Sequence, residues 1–132
     1  MAKKKEAEKA ALTGAALSPC DTGEEITPAF ILARPGQRID VRIDICQTGG
    51  VAAVILAGEL LLRQAIVNSI EVPIQAPAPG DYLLIWGVVP ASTPWRAKGE
   101  VHIGPAVLFR NKKNDASQFP VAKWAVFIRV IA

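Results

Sequence analysis

The stretch from Pro77 to Pro90, PAPGDYLLIWGVVP, constrains the fold more than any other part of the chain. Successive side chains of a strand point to opposite faces, so Tyr82, Leu84, Trp86 and Val88 share one face while Leu83, Ile85 and Val89 share the other. A half-exposed strand alternates apolar with polar residues, whereas this one asks for cover on both sides. The last segment, VAKWAVFIRVIA, repeats the demand. Trp124, Val126, Ile128 and Val130 lie on one of its faces, and the nominally outer face carries Lys123, Ala125, Phe127, Arg129 and Ile131. A core accounts for one face of each strand. For the other, contact with a second subunit around Phe127 and Ile131 is the expectation.

Composition supports that expectation. A chain of 132 residues is one domain by size. Its 51% hydrophobic and 20% charged residues lie above and below the ordinary globular values, and a small domain has proportionally more surface to cover. The surplus points to apolar surface hidden by another chain.

Beyond Ile26 the chain reads as strand after strand with Gly and Pro punctuation. RIDVRIDIC alternates most cleanly: Ile39, Val41, Ile43 and Ile45 point one way, and Arg38, Asp40, Arg42 and Asp44 the other. The outward row alternates in sign, a charge ladder rather than a catalytic carboxylate pair, because Arg42 separates Asp40 from Asp44 and holds both ionised. ELLLRQAIVNSIEVPIQ reads as two short strands, with Pro73 at an edge or an end. Gly104 and Pro105 bend or break a strand, and RNKKND reads as a polar hairpin loop. The predicted architecture is an all-β sandwich of roughly seven to nine strands over residues 23–132.

Residues 1–22 form the other unit, a Lys/Ala-rich arm stopped by Gly14 and Pro19, flexible alone or helical when docked. Of the net charge of +3, Lys3, Lys4, Lys5 and Lys9 against Glu6 and Glu8 hold two units. The body is nearly neutral and carries no footprint of a nucleic-acid-binding domain. The arm either touches a neighbouring subunit or nucleic acid, or serves as a solubilising tail. Glu6 and Glu8 interrupt the basic start and Gly14 breaks the short apolar run, so no secretory signal is readable and synthesis in the cytoplasm is expected. No stretch has the roughly 20 apolar residues of a membrane span. Cys20 and Cys46 are compatible with one disulfide, but without a leader free thiols are expected.

Chemistry is sparse. The single histidine, His102, shares a strand face with Glu100, a weak acid and base pair at most, and neither the Walker nor the Rossmann glycine spacing occurs. Two distant thiols and one histidine cannot close a zinc site. Neither catalysis nor a cofactor or metal is expected. Planar aromatics stack on sugars, and Trp95 in STPWRAK sits beside Pro94, Arg96 and Lys98. With Arg110, Lys112 and Lys113 it outlines a ligand or partner surface for carbohydrate or peptide. The plainer reading folds Trp95 back over the sandwich edge and leaves the cations solvated.

PGDYLLIWG resembles the corner of immunoglobulin-like sandwiches, where a Pro/Gly turn and an acidic residue precede the tyrosine that starts a core strand. The resemblance implies that the Tyr82 hydroxyl bonds nearby backbone and that Trp86 fills the space between sheets. The Cys, Trp, Cys spacing of antibody domains is missing, so the topology stays open between immunoglobulin-like and jelly-roll. A compact sandwich behind a short Lys/Ala-rich arm resembles, in outline, viral and bacteriophage capsid, decoration and fibre-associated proteins. That resemblance implies a non-enzymatic structural protein, homo-oligomeric and partnered by other proteins of a virion.

Overall fold

The computed structural model describes residues 19–118 and 120–132. Among them are nine strands and no helix: β1 (Phe30–Ala33), β2 (Arg38–Cys46), β3 (Gly50–Leu56), β4 (Glu59–Ile66), β5 (Ser69–Gln75), β6 (Gly80–Pro90), β7 (Arg96–Ile103), β8 (Ala106–Asn114) and β9 (Ala122–Val130). They form two sheets, in the orders β1-β9-β6-β3-β4 and β5-β2-β7-β8. The molecule is the expected β-sandwich. Neighbours pair antiparallel except β1, which runs parallel to β9.

Alternation along each strand builds the core. Ile39, Val41, Ile43 and Ile45 of β2 point inward and are at most 1% exposed, and Trp124, Val126, Ile128 and Val130 of β9 face them from the other sheet. Trp86 of β6 lies in register with Trp124, with ring centroids 6.1 Å apart, and meets the Phe109 ring at 5.0 Å and 74°. Such an edge-on aromatic contact is favourable beyond the area it buries. Room for the second indole comes from Gly99 on β7, where a Cβ would run into the Trp124 ring. Asn111 Oδ1 accepts the Trp124 Nε1 hydrogen bond at 3.1 Å. At the start of β6 the Tyr82 hydroxyl donates to the Ala78 carbonyl at 2.7 Å, as the corner resemblance implies.

ELLLRQAIVNSIEVPIQ forms two strands, β4 and β5, as expected, and Pro73 sits on β5 at a sheet edge, where its missing N–H interrupts no ladder. RNKKND is not the hairpin loop its polarity suggests. Arg110 to Asn114 continue β8, paired with β7 up to Arg96 opposite Asn114. Polar residues are compatible with this strand because the outward face of its whole sheet is charged. The turn comes later, where Asn114 Oδ1 accepts the N–H groups of Ala116 and Ser117 at 2.9 and 2.8 Å.

The fit of Trp124 onto Gly99 generates a prediction. Gly99→Ala is expected to lower stability by about 1–3 kcal/mol through overpacking, seen as a lower urea midpoint at unchanged slope.

Candidate functional site

The two outer faces of the sandwich differ in chemistry. On the four-stranded sheet the outward residues form a checkerboard of charge: Arg42 lies opposite Glu71 on β5 and Glu100 on β7, and Glu100 lies opposite Arg110 on β8. Arg38 pairs with Asp40 at 2.9 Å and Arg42 with Asp44 through two contacts of 3.2 Å, so the charge ladder exists as read. Glu100 is its centre. Only 4% exposed, it accepts a hydrogen bond from Arg110 Nε at 2.5 Å, meets His102 Nε2 at 2.7 Å and has Lys98 Nζ at 3.6 Å. Burial pushes its carboxyl up, but the Arg110 and His102 hydrogen bonds and the Lys98 charge outweigh that and hold it below the ordinary carboxylate value.

Burial of this charge comes from a strap. Residues 19–26 run across the face, fastened by a Cys20–Cys46 disulfide with Cα atoms 6.4 Å apart. Asp21 pairs with Arg96. Lys98 Nζ donates to Thr22 Oγ1 at 3.1 Å, and Lys112 Nζ to the Gly23 carbonyl at 2.9 Å. Gly23 lies beside the Arg110 guanidinium at a φ of +89°, a left-handed conformation that favours glycine. Ile26 and Arg110 exchange backbone hydrogen bonds of 2.8 Å, which caps the β8 edge. The free thiols expected from the sequence are therefore corrected: Cys46 ends β2 where the strap crosses, and that places Cys20 against it.

The strap also decides the fate of the cations singled out above. Arg96, Lys98, Arg110 and Lys112 do come together, but as its anchors and as counter-ions of Glu100. Lys113, opposite Ala97, has the other parity and stands apart from them. Trp95 is 1% exposed and belongs to the core, so its ring folds back into the sandwich as the plainer reading expects, but the cations beside it are engaged by the strap and Glu100 and not left solvated. His102 and Glu100 are in contact, yet the carboxylate is also tied to Lys98 and Arg110. Lys3, Lys4, Lys5 and Lys9 lie outside the described residues. Among the described residues no group of three or more His, Cys, Asp and Glu side chains could hold a metal ion.

The outer face of the five-stranded sheet is largely apolar, and nothing among the described residues covers it. Phe127 is 51% exposed, beside Phe30 on β1 and Leu83 on β6, and Leu32, Val51, Val89 and Ile131 are exposed with it. At one end Arg129 makes two hydrogen bonds of 2.9 and 3.1 Å to Asp81 and stacks 4.6 Å above the Phe30 ring, and Lys123 on β9 and Arg63 on β4 stand beside the middle. In the middle the surface drops into a groove of about 140 Å³ lined by Val51, Ala53, Ile85, Gly87 and Lys123. Gly87 is obligatory there, because a Cβ would run into the Ala122 carbonyl of β9. Parity on β6 and β9 locates half of this face in the sequence. The contributions of Phe30, Leu32 and Val51 become visible once β1 and β3 are known to flank those strands.

No protein-family model, curated protein or solved structure matches the chain.

Two expectations follow. Replacing Cys20 and Cys46 together by Ser removes a cross-link between residues 26 apart, worth about 3.5 kcal/mol by loop entropy; calorimetry should show Tm lowered by more than about 10 °C. Glu100→Gln leaves Lys98 and Arg110 without their counter-ion and should cost about 3 kcal/mol at neutral pH. Because the Glu100 carboxyl is depressed in the fold, its stabilisation is complete above the unfolded value of about 4.3 and is lost as pH falls through the folded value. Urea midpoints measured from pH 7 downward should fall more steeply below that value in the native protein than in the Gln variant.

Proposed function

We propose that the protein is a non-enzymatic structural component that assembles with copies of itself through the outer face of its five-stranded sheet. One observation carries this reading: that face is largely apolar from β1 across to β3 and bare among the described residues, while the other outer face is charged and crossed by the chain's own strap. Bare apolar surface of this extent on a small domain is the mark of an association site. The ionisable groups around Glu100 are paired with one another, which favours a structural role over catalysis. The biological setting proposed is a virion, with the chain as a capsid, decoration or fibre-associated component beside other structural proteins. It rests on the resemblance in outline of a compact sandwich behind a lysine-rich arm.

Light scattering at two concentrations a decade apart tests the reading. The expected mass is a multiple of the 14.1 kDa chain, and Phe127→Lys, which sets a charge in the middle of the face, should return it to that of one chain with unchanged circular dichroism. A wild-type protein that stays at one chain mass at both concentrations overturns the proposal.

A further inference from the structure

The apolar face carries both a knob and a notch. In register across β1, β9 and β6, Phe30, Phe127 and Leu83 form a tall row. Four residues along the strands, roughly 13 Å away, Gly87 and Ala53 form a low pair flanked by Lys123 on β9 and Arg63 on β4, and Gly87 floors the groove. Midway between them run Ile85 and Ala125.

We propose that a second copy of this chain docks here about a two-fold axis that lies in the interface, passes between Ile85 and Ala125 and is inclined to the row that joins them, each copy seating Phe127 in the Gly87 groove of the other. The inference rests on the self-association proposed above and adds its geometry. Rotation about that axis brings Phe127 of each copy over Gly87 of the other and turns Leu83 toward β3, so the tall side chains meet the hollow on both halves of the contact, as a closed isologous dimer requires. An axis through Phe127 itself would set tall row on tall row and leave both grooves empty. The groove of about 140 Å³ matches the occupant: a cavity of about 150 Å³ holds a benzene ring. Lys123 at the groove rim then lies against the incoming ring, where an ammonium is attracted by the π face. Asp81 and Arg129 neutralise each other within one copy and so raise no repulsion across the contact. Five strands about 4.8 Å apart and about eight residues long offer roughly 600 Å² per copy. Two copies thereby reach the roughly 1,200 Å² at which specific interfaces begin.

The test uses the full chain and two single variants. Phe127→Ala removes the knob, and Ala53→Phe fills the notch from β3, with Ala53→Leu in its place if the larger residue prevents folding. Each alone should raise the dimer Kd at least tenfold by sedimentation equilibrium. Mixed in equal amounts they should associate again, because one copy keeps its knob and the other its open groove. If the native protein associates but either variant associates equally well, or the mixture stays monomeric, the docking geometry is overturned and self-association stands. If the native protein is monomeric throughout, both fall.

Discussion

The contact between Trp86, Trp124 and Gly99 sets the rest of the molecule. Two indoles side by side on β6 and β9 fill the space between the sheets, and a bare backbone on β7 lets the opposite sheet close over the second of them. Phe109 and Asn111 on β8 complete the seat, one by an edge-on ring contact and the other by a hydrogen bond. Once these strands are fixed with their indoles inward, parity dictates the outside. Lys98 and Glu100 follow from Gly99, Leu83 and Ile85 follow from Trp86, and Phe127 follows from Trp124. Among the described residues no protein atom accepts from the buried Nε1 groups of Trp86 and Trp95.

The two outer faces resolve their exposure in opposite ways. Charges laid out in alternation satisfy one another laterally, but a carboxylate at 4% exposure needs more than neighbours, since desolvation disfavours its ionised form. Glu100 remains ionised because Arg110 and His102 hydrogen-bond to it and the Lys98 ammonium lies beside it. The strap both causes its burial and benefits from it, since Lys98 serves Glu100 and Thr22 together. The disulfide closes this arrangement by limiting how far the strap can stray in the unfolded chain. The same segment caps the edge of β8 through Ile26, which removes one exposed strand edge from the molecule.

Much of this was legible in the residues and some was not, for identifiable reasons. RIDVRIDIC and VAKWAVFIRV read correctly because their alternation records a local property, the pleat, and needs no knowledge of neighbours. The Tyr82 corner was legible because it closes within five residues. RNKKND was misread because polarity signals a loop only where the facing surface is water; here the facing surface is a ladder of charge and a strap. The Cys20–Cys46 bond depends on where the chain crosses a sheet, a non-local fact that spacing does not encode. Trp95 has cations as sequence neighbours, but a strand about to begin sends adjacent side chains to opposite faces. Arg96 therefore points to the strap while Trp95 turns into the core.

The hydrophobic surplus of the composition is thus concentrated on one outer face. β6 and β9 carry it on the same backbones that hold the two indoles, so Phe127 and the Gly87 groove are positioned by the core and not by a loop. This matters for association, because a surface whose backbone is already fixed surrenders little conformational entropy on docking, and more of its buried apolar area appears as affinity. Gly87 unites both demands. It is glycine because β9 passes too close for a Cβ, and that close approach of two core strands is what hollows the outer face. A molecule built this way cannot tighten its central strand pair without also shaping the surface it offers outward.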